Sequence, residues 1–291
     1  MRPIAISLLA LMSTLGVLGG CTTVPPLPPR AIELNRDGAA ALAAGNLATA
    51  EARIGLALEY SPRFTEAWVN LGYVEMGRGN LELARKHFRK ARDLNPDLPA
   101  PHHALGLLAD ERDSQIEAEA YYRSALKVDP AFTAARINLS RRLFQRGAYE
   151  DAREQFLRLT EIAPEDADGW AGLAECLVRL GRVEEADEVV SRGRARLGEP
   201  PQLMLLLARQ LLRRNAFADA EAILVPITHH ADRRRAAAAW AWLSLARLGE
   251  GQCTLASEAV HEAAAIDRND PVILYARRAL ETTEAAKTRC R

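Results

Sequence analysis

Two adjacent histidine pairs, His102-His103 and His229-His230, and two acidic pairs, Asp110-Glu111 and Glu184-Glu185, are the groups whose types could support acid–base or metal chemistry. Either chemistry needs side chains that converge, and neighbours along a helix point in different directions. The acidic pairs have the pattern of wetted helix faces, and His229-His230 stand beside Arg233-Arg234-Arg235 in what reads as a solvated loop. A His-Glu-x-x-His zinc motif, a glycine-rich phosphate loop and a Gly-x-Ser-x-Gly elbow are all missing from the sequence. The expectation is a protein that is not an enzyme and holds no metal or other cofactor. Lysine plus arginine and aspartate plus glutamate both number 38, so no excess of positive charge argues for nucleic acid as a partner.

The elements that must position any functional side chain are set by a period. Pro62, Pro96, Pro130 and Pro164 stand thirty-four residues apart. Gly45, Gly79, Asp113, Gly147, Gly181 and Asn215 keep the same step as turn residues, and Ala50, Ala84, Ala118, Ala152, Ala186 and Ala220 keep it as small residues where helices approach. Each unit reads as two short amphipathic helices that cannot bury their apolar faces alone, so neighbours must stack into one continuous core. The prolines end each second helix, because proline lacks an N–H donor and disfavours helical geometry in the residue before it.

These residues resemble the tetratricopeptide repeat family. The second unit reads Trp68, Leu71, Gly72, Gly79, Ala84, Phe88, Ala91 and Pro96, with Glu75 where the family has tyrosine. Units begin at Ala31, Thr65, Pro99, Thr133, Ala167, Pro201 and Ala237, the last after a two-residue slip assigned to a lengthened loop over residues 228–235. The resemblance implies an all-α solenoid, a right-handed superhelix of about seven helix-turn-helix repeats over residues 31–270, closed by a capping helix and tail over residues 271–291. Trp68, Phe88, Tyr122, Phe156 and Trp170 take core-facing phases.

Met1-Arg2 and the apolar run from Ile4 to Leu18 read as a secretory signal peptide over residues 1–20. Leu18-Gly19-Gly20-Cys21 is similar to the bacterial lipobox. That similarity implies an acylated Cys21 as the first mature residue. With Thr22 after it, the expectation is a lipid anchor in the outer membrane of a Gram-negative cell, with the array facing the periplasm. Residues 21–30, including Pro25-Pro26-Leu27-Pro28-Pro29, read as an extended linker. Cys253 opens the second helix of the seventh unit and Cys290 follows the cap, so the two could pair in an oxidising compartment, while Cys176 reads as a buried free thiol.

The family builds its concave surface from the first helix of each unit. Its inward positions carry over to Asn35, Asn70, Tyr73, Met76, His103, Asp110, Asn138, Arg141, Phe144, Glu175, Arg179, Arg209 and Arg213. Amides suit the backbone of an extended peptide, arginines its carboxylates, and Tyr73 or Phe144 an apolar side chain. Only Asn70 and Asn138 echo the family's clamp for a C-terminal carboxylate, which sets that mode aside. The inward positions turn apolar at Leu205, Leu212, Trp242, Leu245 and Leu248, either beneath the cap or as a second interface. A lipoprotein signal followed by little except repeats also resembles the lipoproteins that assist type IV or Flp-type pilus assembly. It implies protein partners, a secretin or pilus component among them. An adaptor for peptidoglycan hydrolases or proteases and a scaffold for exopolysaccharide export are the alternative readings.

Overall fold

The computed structural model describes residues 26–282. Cys21, the signal segment before it, Cys290 and the rest of the tail lie outside the described residues. Seven helix pairs follow one another: α1 (Pro29–Ala43) and α2 (Leu47–Tyr60), α3 (Thr65–Gly77) and α4 (Leu81–Leu94), α5 (Pro99–Glu111) and α6 (Gln115–Val128), α7 (Thr133–Gln145) and α8 (Tyr149–Ile162), α9 (Ala167–Arg179) and α10 (Val183–Leu197), α11 (Pro201–Arg213) and α12 (Phe217–Leu224), and α13 (Arg233–Gly249) and α14 (Cys253–Ile266). A final helix, α15 (Pro271–Thr282), packs on α13 and α14 as a cap. The fold is an all-α repeat solenoid.

Every helix packs on the next, and successive odd helices also touch across the repeats, α1 with α3, α3 with α5, α7 with α9, α9 with α11 and α11 with α13. The even helices make no comparable contact with one another among the described residues. One face therefore closes up and becomes concave, and the odd helices line it.

The turn inside each pair is made by a residue in the left-handed region: Gly45 at φ +75°, Gly79 at +79°, Gly147 at +82°, Gly181 at +76°, Gly251 at +79°, and the non-glycines Asp113 at +54° and Asn215 at +59°. These end the first helix by returning backbone N–H groups to its orphan carbonyls, as Asn46 N–H does to Ala41. Asp and Asn are the side chains best able to replace glycine there. The alanines of the thirty-four-residue register from Ala50 to Ala220 are all buried, which lets the paired helices approach closely. Phe88 and Tyr122 are fully buried one repeat apart, each ring lying where a Cβ on Gly72 or Gly106 would stand.

Trp68 and Trp170 pack on the core clusters, as their phase implies, and stay half-buried, each indole Nε1–H donating to the carbonyl of the proline six residues back, Pro62 and Pro164, at 2.9 Å. Arg136 makes the same bond to Pro130, and His102 Nε2 lies 3.4 Å from the Pro96 carbonyl, so this register position ties the turn between units. Residues 228–235 are not one loop. A 3-10 turn runs over Val225–His229, and Asp232 caps α13, its Oδ1 accepting from the N–H groups of Arg234 and Arg235, so α13 begins at Arg233 rather than Ala237. At the N-terminus α1 begins at Pro29, inside the assigned linker, because proline suits the first turn of a helix. Cys176 is buried, and burial first, then Glu175, pushes its thiol up to about 12, which keeps it protonated and unreactive.

Candidate partner-binding groove

The concave face divides into a closed part and an open part. In the N-terminal half the polar positions satisfy one another across repeats. Asn70 Nδ2 donates to Asn35 Oδ1 at 2.9 Å, and Asn138 Nδ2 stands 2.9 Å from His103 Nε2. Burial is the main cause that takes His103 down to about 4, so the ring stays neutral and Nε2 is free to accept from the amide. The His103 ring also packs against Tyr122 and Phe132, at 5.8 and 5.6 Å between centroids. Tyr73 meets Phe88 edge-on at 5.2 Å, and burial pushes its phenol up to about 12. Met76 packs on the same cluster. Asp110 accepts from Tyr122 Oη at 2.6 Å and faces Arg142 Nε at 2.7 Å, so it serves the helix packing rather than a ligand.

From α7 onward the face opens. A groove of 510 Å³ lies between α7, α9, α11 and α13, lined among others by Arg141, Asp168, Glu175, Arg209, Arg234, Arg235 and Trp242. Glu175 accepts from Arg209 across the repeat and from Arg179 at 3.3 Å on its own helix. Arg209 lies 5.3 Å over the Trp242 ring and Arg179 5.6 Å over Phe144. Asp168 takes Gln202 at 3.0 Å, Arg235 at 3.3 Å and, more loosely, Arg141 at 3.7 Å. Burial opposes the charged form of Asp232, yet the backbone N–H bonds from Arg235 and Arg234 outweigh it and hold that carboxyl below its usual range. Four arginines thus face three carboxylates, and the guanidinium groups of Arg141 and Arg234 are exposed.

Arg213, assigned to the groove, instead shares Asp187 of α10 with Arg214, at 3.4 and 2.8 Å. The apolar positions separate. Leu205 and Trp242 line the groove, Leu212 packs beside them, and Leu245 packs in the cluster that α15 covers. Asp168, Gln202, Asp232, Arg234 and Arg235 escaped the sequence reading. Gln202 lies thirty-four residues after Asp168, the step that also joins Glu175 to Arg209, so a search for polar partners one period apart finds both pairs. Arg234 and Arg235 were hidden by the loop assignment. Among the described residues no group of three or more His, Cys, Asp or Glu side chains could hold a metal.

Models of the tetratricopeptide repeat match residues 37–99, 116–172 and 143–203. The chain belongs to the tetratricopeptide repeat family. It is 24% identical over 157 residues to the type IV pilus assembly protein PilF of Pseudomonas aeruginosa, covering 53% of this chain and 62% of that protein. It is 26% identical over 112 residues to anaphase-promoting complex subunit 3 of Schizosaccharomyces pombe, covering 38% of this chain and 17% of that one. The chain therefore spans less than two thirds of the length of either relative. Among solved structures, a tetratricopeptide repeat protein from Parabacteroides merdae superposes with a TM-score of 0.60 at 16% identity, covering 88% of this chain and all of that one. The structure of Pseudomonas aeruginosa PilF does so with a TM-score of 0.59 at 18% identity, covering 74% and 96%. These likenesses show the fold, an all-α tetratricopeptide repeat solenoid.

Proposed function

We propose that this repeat array is a scaffold, tethered by an acylated Cys21 to the Gram-negative outer membrane and facing the periplasm, that holds a protein partner during assembly of a pilus or secretion machine. The observation that carries the binding role is the open groove between α7 and α13. There Arg141 and Arg234 present exposed guanidinium groups beside Leu205 and Trp242. Such a surface fits an extended segment carrying an acidic residue next to an apolar one: the arginines take the carboxylate and the indole takes the side chain. The likeness to PilF supports the pilus pathway, with a secretin or pilus component as the partner.

Crosslinking of the tagged chain in cells, followed by mass spectrometry, tests both levels. The double variant Arg141→Glu/Arg234→Glu is expected to reduce the crosslinked product about tenfold or more, the scale of a reversed interfacial charge pair. Its melting temperature should stay near that of the parent, because neither side chain is buried. An undiminished product removes the groove from the proposal. Peptidoglycan hydrolases or proteases in place of a pilus component make the array an adaptor for those enzymes.

The anchor and the cysteine pairing are tested together by the mass of the purified mature chain and its non-reducing peptide map. The expected results are a diacylglycerol-bearing and N-acylated Cys21 and a peptide linking Cys253 to Cys290. An unmodified Cys21 removes the tether, and two alkylatable thiols at 253 and 290 remove the disulfide.

A further inference from the structure

The outer surface of the second repeat carries a charge pattern that the groove does not use. Helix α4 reads Leu-Glu-Leu-Ala-Arg-Lys-His-Phe-Arg-Lys-Ala-Arg-Asp-Leu, and its polar side borders an open groove of 740 Å³. Arg85 leans on Glu82 at 3.8 Å and Arg92 on Asp93 at 2.9 Å. Lys86, Arg89 and Lys90 are exposed, and no carboxylate of the described residues comes within 4.0 Å of them. Three unpaired cations at i, i+3 and i+4 form one stripe along the helix. At the edge of the stripe stands Trp68, half-buried and stacked on His87 at 5.4 Å between ring centroids.

We propose that this face of α4 docks on an anionic phospholipid surface, with Lys86, Arg89 and Lys90 set against the headgroups and Trp68 at their margin. Three observations favour a lipid surface over an acidic protein. First, the chain has four lysines, Lys86, Lys90, Lys127 and Lys287, against an abundance of arginine, and two of the four lie in this stripe. A lysine ammonium is a mobile point charge suited to a diffuse negative layer, whereas arginine is the residue of fixed, bidentate carboxylate contacts. Second, an indole with one polar edge beside a basic stripe is the chemistry of a membrane interface. Third, the chain joins the array close by. Leu27 packs on the same apolar cluster that Trp68 borders, and Cys21 precedes Leu27 by six residues. Six residues span at most about 20 Å, so an acyl anchor on Cys21 would hold repeat two near the bilayer. This last argument rests on the proposed anchor; the charge pattern does not.

The test therefore omits the anchor. Protein comprising residues 22–291, which retains every described helix, is mixed with vesicles of phosphatidylglycerol or of phosphatidylcholine and floated on a density gradient. Binding is expected to phosphatidylglycerol alone and to fade as salt shortens the range of charge interactions. Lys86→Glu/Lys90→Glu should weaken it at least about tenfold, in keeping with roughly fivefold for each basic residue beside an anionic surface. The charge-matched control Arg196→Glu/Arg268→Glu, at exposed sites far along the chain, should bind like the parent. Flotation with neither vesicle at low salt, equal flotation with both, or equal losses in the two variants would each overturn the proposal. So would capture by poly-glutamate without vesicle binding, which would assign the stripe to an acidic protein.

Discussion

Phe88→Ala is expected to cost about 3–5 kcal/mol of stability, the range for deleting a buried phenylalanine from a core that cannot collapse around the void. Phe88 is fully buried, meets Tyr73 edge-on at 5.2 Å, and lies so close to the α3 backbone that a Cβ on Gly72 would fall 2.3 Å from its ring. In a solenoid each repeat is held only by its neighbours, so the loss should be concentrated in the first repeats and appear there as faster amide exchange. The complementary change, Gly72→Ala, overfills the same contact. Gly72→Ala combined with Phe88→Leu should therefore lose less than the two single changes added together, because the smaller side chain makes room for the new methyl group. Urea unfolding of the four proteins reads this directly. A loss below about 1 kcal/mol for Phe88→Ala, or strict additivity in the cycle, contradicts the packing described. Trp68→Ala should cost less than Phe88→Ala, since the indole is half-buried and its main fixed contact is the bond to Pro62.

Asp110→Ala should be nearly as damaging, by about 2–4 kcal/mol, for an electrostatic reason. Its carboxylate accepts from the Tyr122 hydroxyl at 2.6 Å and forms an ion pair with the Arg142 guanidinium at 2.7 Å, joining α5, α6 and α7. The ion pair is largely sheltered, with side-chain exposures of 21% for Arg142 and 19% for Asp110. Burial first, and then Asp110, raise the Tyr122 phenol well above its usual range, so it remains a donor throughout ordinary conditions. Alanine at 110 leaves a sheltered cation without its counter-charge and a buried hydroxyl without its acceptor, and each carries a desolvation cost that the folded state must bear. Asp110→Ala/Arg142→Met should recover part of the loss, because removing both charges leaves no cation unpaired. Thermal unfolding of the single and double variants decides the matter. If the double variant is as unstable as the single one, the ion pair is not the source of the cost.

The repeat was legible because it is imposed locally. A left-handed turn selects Gly45, Gly79, Asp113 or Asn215, a close helix contact selects Ala50 or Ala84, and a chain stop selects Pro62 or Pro96; each choice depends on residues within one helix pair. With the same local requirement recurring every thirty-four residues, the all-α solenoid and the helix starts at Thr65, Pro99, Thr133, Ala167 and Pro201 follow from the sequence alone. The reading failed at residues 228–235, where the period slips and the 3-10 turn at Val225–His229 and the cap at Asp232 replace the repeated pattern.

The character of the concave face was decided only by the tertiary structure. Asn70, His103 and Asn138 occupy inward positions, and so do Glu175 and Arg209, yet sequence position cannot say whether such a group meets solvent or a partner one repeat away. Stacking resolved it: the N-terminal amides and the histidine satisfy one another, Asp110 turns to Tyr122 and Arg142, and Arg213 reaches the outer helix α10. Stacking also brought Asp168, Gln202 and Arg235 together with Arg141 and Trp242 around one groove, from helices up to 101 positions apart in the chain, between Arg141 and Trp242. Helix formation depends on neighbours in sequence, and a side chain's choice among partners depends on which helix faces are pressed together. The sequence by itself therefore determined the period, the helices and the direction of the core. The three-dimensional packing determined which polar groups are already paired and which remain exposed.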